Sequence, residues 1–313
     1  MEGKEGDKPQ DIEVVVVAGR GWSPLYARVM EKQLKVLSRR PPGIKTRITY
    51  VISIEKPGAR RLVSHLAATA ARLGLKASIL ELSSDKGVSH ARNKALIATR
   101  SQLIGFLDDD VIPAPRWLET LTQVFKDPRV AGTFGSVHPV FLGNMCRRIP
   151  RSLYWIFSCT PSYAPKERSP FYRGFGANMA FRREALISAG GFQANLGVGA
   201  NNPRGILGED AELGLRMCRS GRLVVYEPRL KAYHIVPPDR CTARYVATRA
   251  FTVGRTNRAI TIQHGLDECR DSGVLKVAMK ALISDASSLP RRPSGLPLLV
   301  LGSLSFLAGY LAG

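Results

Sequence analysis

At 313 residues the chain has room for one large domain with an appendage or for two modest domains, and 44% hydrophobic with 7% aromatic residues suits a globular protein with a substantial core. The 46 Lys and Arg against 25 Asp and Glu, a formal net charge of +21, point to a polyanion, an anionic membrane surface or a phosphorylated substrate. Five cysteines (Cys146, Cys159, Cys218, Cys241 and Cys269) form no C-x-x-C pair, and the polar opening "MEGKEGDKPQ" has no apolar core; a disulfide framework, a zinc site and a secretory signal are all disfavoured, leaving reduced thiols in a cytosolic setting as the expectation.

In chain order, "DIEVVVVAG" is a short β-branched run ending at Gly19 and predicts a buried strand followed by a loop. "PLYARVMEKQLKVLSRR" spaces Leu25, Val29, Leu34 and Val36 at roughly helical intervals, and "RITYVISIEKPG" repeats the strand-and-turn design, completing a βαβ unit. A helix over "RRLVSHLAATAARLGL", stopped by Gly74, precedes a strand "ASILEL" and a helix "SHARNKALIATR" that Ser89 is placed to cap. "LIGFL" is then the fourth strand of an alternating series, the pattern of a mostly parallel sheet with helices on both faces. "APRWLETLTQVF" follows as a helix with Pro115 in its first turn. From Gly132 to Phe171 five prolines interrupt the pattern, which reads as a long, partly helical excursion over the sheet, a lid or acceptor-binding region. Regularity resumes with "FGANMAFRREALISAGGF", a strand leading to a helix stopped at Gly190 and Gly191.

Residues 266–294 read as an amphipathic basic helix and a Pro/Arg/Ser linker, setting a boundary between a domain at 1–265 and a C-terminal segment at 266–313. The last 19 residues, from Gly295, carry no charge and follow "LPRRPS". This run is of roughly the minimum length that spans a bilayer, and its basic flank would hold the main domain on the cytoplasmic side; a buried terminal helix is the alternative.

Three aspartates, Asp108 to Asp110, stand where the apolar fourth strand ends. Open α/β sheets bind ligands outside the carboxyl ends of their strands, and carboxylates there offer hard oxygen ligands to Mg²⁺ or Mn²⁺ shared with a diphosphate. Strand alternation predicts that Asp108 and Asp110 point to one side and Asp109 to the other. A second acidic pair, Glu209 and Asp210, opens a helix in "GEDAELGLRM", where complementing the helix dipole is the alternative role.

Taken together, "KGVSHARNKALIATRSQLIGFLDDDVIPAPRWLETL", "GFGANMAFRREALISAGGF" and "GEDAELGLRM" resemble, in order and approximate spacing, the family 2 glycosyltransferases. The resemblance implies a GT-A fold, a Rossmann-like mixed and mostly parallel sheet flanked by helices, here with a C-terminal membrane-associated tail. It implies transfer of a sugar with inversion from a nucleotide-diphosphate donor to a glycan or lipid-phosphate acceptor at a membrane. Asp108 and Asp110 match the DxD positions that meet a divalent metal, Mn²⁺ or Mg²⁺, and the donor diphosphate; His234 resembles the histidine that some members add as a metal ligand. Asp210 matches the usual catalytic base, with Glu209 as the alternative. Glu55, Arg92, Asp109 and Asn178 are then donor-site candidates, and Arg240, Arg244 and Arg249 are candidates for an acceptor or lipid phosphate.

Departures from the family pattern are also informative. "AGRGWSP" stands where a Pro-Thr-Tyr-Asn type of loop is common, "SIEKPG" replaces the acidic end of the second strand, and no Q-x-x-R-W follows Glu209-Asp210, which favours single addition over processive synthesis. Two other readings compete: a sugar-nucleotide nucleotidyltransferase, for which "AGRGWSPL" is a faint version of the expected loop, and a basic nucleic-acid binder. The second lacks any recognition motif or aromatic stacking series, so no nucleic-acid partner is expected.

Overall fold

The computed structural model describes residues 11–170, 173–199, 202, 205–265 and 295–313. Its N-terminal half is the expected alternation: β1 (Asp11–Ala18), α1 (Pro24–Leu37), β2 (Lys45–Ser53), α2 (Ala59–Arg72), β3 (Ala77–Leu82), α3 (Val88–Ala98) and β4 (Leu103–Asp108). Ser23 accepts a hydrogen bond from the Tyr26 amide and Pro24 occupies the first turn, so α1 starts where the sequence offers both a cap and a preset φ. At α3 the expected cap is not used: Gly87 precedes the helix, and the Ser89 hydroxyl, buried, donates to the Leu196 carbonyl at 2.7 Å.

Beyond β4 come β5 (Val111–Pro113), α4 (Trp117–Val124), β6 (Val130–Phe141), β7 (Ser169–Pro170), β8 (Asn178–Arg182), α5 (Arg183–Ser188), α6 (Glu209–Arg219), β9 (Leu223–Val236), α7 (Ala243–Gln263) and α8 (Leu296–Leu311). Pro115 lies just outside α4 rather than in its first turn. The sheet runs β3-β2-β1-β4-β8-β6-β9-β5, with β7 on the side of β9. Strands β1 to β4 pair in parallel, as do β6 and β9; β8 is antiparallel to both β4 and β6, and β5 and β7 are antiparallel to β9. The sheet is therefore mixed and mostly parallel, as expected: the β1–β2, β1–β4, β2–β3 and long β6–β9 ladders are parallel, and the antiparallel pairings of β8, β5 and β7 are shorter.

The largest departure is β6, a 12-residue strand in the middle of the sheet where an irregular excursion was expected. Its glycines hid it: a Cβ at Gly132 would fall 2.3 Å from the Phe181 ring, and one at Gly135 would fall 2.2 Å from the Leu230 carbonyl oxygen. Close packing demands residues that, read alone, signal a broken strand. The remainder of that segment holds two short 3₁₀ turns, Asn144–Arg148 and Arg151–Phe157.

Alternation along the strands divides the core. Val14 and Val16 of β1 pack with Met30, Leu34, Leu62 and Trp117 on one face, while Val15 packs with Ala91, Phe106, Leu186 and Leu213 on the other. Across the first face the 3₁₀ turn at Asn144–Arg148 is joined to the one at Pro238–Cys241 by a disulfide between Cys146 and Cys241, whose Cα atoms are 4.9 Å apart. Reduced cysteines were expected; at a sequence separation of 95 residues only the fold brings these two together. Cys159 and Cys218 are free thiols.

Helix α8 packs along α7 at backbone contact, where a Cβ on Gly254 would lie 2.1 Å from the Phe306 carbonyl oxygen and one on Gly309 would lie 2.0 Å from that of Phe251. At 16 residues it is about 24 Å long, less than the hydrocarbon core of a bilayer. No helix among the described residues is long and apolar enough to cross a membrane. Residues 266–294, read from sequence as an amphipathic helix and linker, lie outside the described residues.

Candidate functional site

The three aspartates close the carboxyl end of β4, but the chain does not run on as a strand. It turns at Asp109 and Asp110 and enters β5, so the alternation expected for Asp108 and Asp110 does not hold. Gln33, fully buried on α1, pins this turn by donating to the carbonyls of Asp108, at 2.7 Å, and Val111. Because β5 pairs antiparallel to β9, with Val111 opposite His234, the turn is set beside the far end of β9.

Each aspartate has a different environment. Asp108, with its side chain 32% exposed, lines a cavity of about 730 Å³ and accepts from Arg92 Nη2 at 3.2 Å. Asp109 and Asp110 are both buried and both gripped by Arg20, from the loop after β1, with Nη2 2.8 Å from Asp110 Oδ2. Burial, partly offset by Arg20 and aided by the two flanking carboxylates, pushes the Asp109 carboxyl up to about 7. Asp110 goes the other way: burial opposes ionisation, but the charges of His234, Arg20 and Arg240 outweigh it and hold the carboxyl down to about 2.

Asp110 and His234 form the best-matched pair for a divalent cation. His234 Nε2 stands 3.0 Å from Asp110 Oδ2, and both Asp110 oxygens are buried without accepting a directed hydrogen bond. His234 Nδ1 faces the buried Cys159 thiol at 3.7 Å, which fixes the ring with Nε2 turned to the carboxylate. Asp108 was expected as a third ligand; its carboxylate meets Arg92 at 3.2 Å, as that of Asp110 meets Arg20 at 2.8 Å, and among the described residues no three His, Cys, Asp or Glu side chains gather closely enough to hold a metal by themselves. The carboxylate suits Mn²⁺ or Mg²⁺ when diphosphate oxygens and water complete the shell, and the imidazole beside it favours Mn²⁺ over the oxygen-preferring Mg²⁺.

Arg92 carries the connection between the two acidic motifs. It is 2% exposed and bonds Glu209 Oε1 through Nη1 at 2.6 Å while bonding Asp108 through Nη2. Gly176 makes room for it, since a Cβ there would lie 2.6 Å from Nη2. The Gly176 amide donates to Asp210 Oδ2, and the Ala211 amide donates to Oδ1 at 2.7 Å, aiming the Asp210 carboxyl at the cavity wall. Burial and the neighbouring Glu209 charge raise Asp210 to about 7, where a carboxylate is a far better base than in water.

Other expected residues lie elsewhere. Asn178 is fully buried and spends its amide on structure: Oδ1 accepts from the Trp117 indole at 2.8 Å, and Nδ2 donates to the Ser136 and Leu230 carbonyls. It holds α4 and β8 in place and does not line the cavity. Glu55 is exposed and accepts from the Asp85 amide at 3.1 Å, so it stands behind the cavity wall that Ser53, Lys56 and Asp85 form and does not line it. Arg240 sits 3.6 Å from Asp110, on the His234 side, Arg244 is exposed outside the cavity, and Arg249 lines it. Sequence reading missed Arg20 and Gln33. The first lay in a loop noted only as a departure from the family, and the second in an ordinary helical pattern.

The family model described as "Glycosyltransferase like family 2" matches residues 9–255. Among curated proteins, a glucosyl-dolichyl phosphate glucuronosyltransferase of Haloferax volcanii is 21% identical over 203 residues, spanning 64% of this chain and 64% of that protein. The succinoglycan biosynthesis protein ExoM of Rhizobium meliloti is 27% identical over 230 residues, 72% of this chain and 69% of its own. Among solved structures, the mannosyltransferase PcManGT from Pyrobaculum calidifontis, in complex with GDP-Man and Mn²⁺, superposes with a TM-score of 0.60 at 19% identity, over 96% of this chain and 86% of that one. At that identity the likeness speaks to the fold.

Proposed function

We propose, from the premise that this chain belongs to glycosyltransferase family 2, that it is an inverting enzyme moving one sugar from a nucleotide-diphosphate donor to a lipid-linked or membrane-associated acceptor. The observation that carries the reading is Arg92, whose single guanidinium joins the Asp108 end of β4 to the Glu209-Asp210 end of α6 across one cavity. A donor site and a base site must face each other for direct displacement, and a guanidinium shared between the two acidic motifs supports that arrangement.

In this mechanism the donor diphosphate lies along the carboxyl ends of β1 and β4, against Arg20 and Asp108. Asp110 and His234 would hold Mn²⁺ or Mg²⁺, which supplies Lewis-acid neutralisation of the departing nucleoside diphosphate. The Asp210 carboxylate takes the proton of an acceptor hydroxyl, whose oxygen bonds the anomeric carbon as the bond to the diphosphate breaks on the opposite face. Glu209, tied to Arg92, positions that guanidinium rather than serving as the base. The relative named for glucosyl-dolichyl phosphate and the fold neighbour solved with GDP-Man and Mn²⁺ support a nucleotide-sugar donor, divalent metal and lipid-linked acceptor.

The protein docks on the cytoplasmic face of a membrane through α8, lying in the interface rather than crossing it. Leu296, Val300, Leu304, Leu307 and Leu311 are 45–77% exposed and recur at steps of three and four, one apolar stripe on a chain whose net charge of +21 meets anionic lipid.

The test is a panel of nucleotide sugars assayed for nucleoside diphosphate release with Mn²⁺, with Mg²⁺ and with excess chelator, using the wild type, Asp110→Asn and His234→Gln. Metal-dependent release that both variants weaken, with a higher Mn²⁺ requirement, is expected. Undiminished turnover in chelator would remove the metal assignment, and release of pyrophosphate would show a nucleotidyltransferase instead.

A further inference from the structure

The cavity does not end at Asp210. One face of α7 lines it along its length, with Arg249, Val253, Thr256 and Ile260 recurring at three- and four-residue steps. At the inner end Thr256 accepts from the Leu207 amide at 2.9 Å and packs on Gly208, the residue before Glu209 and Asp210. At the outer end the walls become apolar: Leu153 and Trp155 come from one side and Ser303 and Phe306 of α8 from the other. The Trp155 and Phe306 rings meet edge to face at 5.6 Å. Arg249 lines the same cavity; no acidic side chain among the described residues pairs with it, and its Nε is buried without a hydrogen-bond partner. A half-buried guanidinium with one buried donor left unpaired offers a charge-assisted hydrogen bond to a ligand anion.

We propose that this vestibule is the acceptor's anchoring subsite: Arg249 takes a phosphate, Trp155 and Phe306 take the first part of an apolar chain attached to it, and the attacking hydroxyl lies one sugar ring further in, at Asp210. The spacing selects this class. Thr256, which packs on Gly208 two residues before Asp210, and Arg249 are seven residues apart on the cavity-lining face of one helix, about 10 Å along its axis. In a bare lipid phosphate the charge and the only possible nucleophile share one phosphorus and cannot occupy both ends of that span. A glycosyl phosphate lipid, whose sugar separates hydroxyl from phosphate, can. Because the same α8 carries the exposed apolar stripe on its outer surface, the chain of the acceptor has a short path from a lipid surface to the vestibule. The inference rests on the transferase reading above but is tested apart from it.

Isothermal titration calorimetry on the full chain, with citronellyl phosphate, citronellol and inorganic phosphate as probes, separates the contributions. Citronellyl phosphate is expected to bind at least about tenfold more tightly than either of the other two, since each lacks one half of the contact. In Arg249→Gln that advantage over citronellol disappears, whereas Arg249→Lys keeps most of it; a cooperative thermal transition for each variant establishes folding. Equal binding of citronellyl phosphate by wild type and Arg249→Gln, or equal binding of citronellol and citronellyl phosphate, overturns the subsite. Inorganic phosphate binding as tightly as citronellyl phosphate would also overturn it, by removing the chain from recognition. With a donor that the enzyme turns over, citronellyl phosphate is expected to inhibit and not to be glycosylated; its consumption as an acceptor would overturn the spacing argument. Should no donor be turned over, the transferase reading fails while the calorimetry still decides the subsite.

Discussion

Replacing Arg92 with Met keeps most of the side chain's volume and removes its charge and five donors. Arg92 is 2% exposed and Glu209 is 8% exposed, so the contact at 2.6 Å between them is a buried ion pair, and breaking it leaves a carboxylate stranded in a site built for a cation. Losing one partner of such a pair costs about 3–5 kcal/mol. The second contact, to Asp108, adds little, because a side chain 32% exposed is rehydrated when the guanidinium leaves. With a denaturant slope of about 3 kcal/mol per molar urea, the unfolding midpoint should fall by about 1–1.7 M. Equilibrium urea unfolding of Arg92→Met, Glu209→Gln and the double variant completes a thermodynamic cycle. The double variant should recover about 1–3 kcal/mol relative to additivity, because neutralising Glu209 removes the stranded charge. A loss below about 1 kcal/mol in Arg92→Met, or strict additivity in the double variant, would refute the bridge and with it the argument that one guanidinium holds the two acidic motifs together.

The Asp210 carboxyl, raised to about 7 from an ordinary 3.8, acts as a base only when ionised. The rate at limiting substrate should therefore climb about tenfold per pH unit below 7 and level off above it, and Asp210→Asn should lose about 10²–10⁴-fold and flatten the profile. The same shift means that ionising the group disfavours the folded state, so its contribution to stability declines as pH rises from about 4 to about 7; a urea midpoint independent of pH over that range in wild type but not in Asp210→Asn would contradict the assignment. Asn178→Ala strands the Trp117 indole and two carbonyls, and should cost about 2–4 kcal/mol in thermal or urea unfolding while leaving the donor KM within about twofold, the reverse of what a sugar-binding role would give. Leu304→Glu with Leu307→Glu should release the protein from vesicles containing anionic phosphatidylserine in a flotation assay; undiminished flotation would place the contact elsewhere.

Alternation of strands and helices through β4 was legible because each element there is built from local pattern: valine and isoleucine runs for buried parallel strands, caps and glycines for helix ends. β6 was not, since its glycines are required by Phe181 and the Leu230 carbonyl, residues about 50 and 100 positions away. Likewise the disulfide joins cysteines whose spacing carries no signal, and β5, only three residues long, is a strand because β9 lies beside it.

By itself the sequence determined the chemistry on offer: carboxylates at the end of a buried strand, a second acidic pair opening a helix, a histidine after a long strand, and a terminal apolar run. These follow from residue type and short-range order, which local physics fixes. Tertiary structure decided which of them act together. It turned the chain at Asp109 so that Asp110 meets His234, set Arg20 against Asp109 and Asp110, and buried Arg92 between Asp108 and Glu209. It consumed Asn178 in packing and left Arg249 facing a cavity. Such pairings depend on strand register and helix placement across distances that no local pattern encodes, and the electrostatics of the site depend on them in turn.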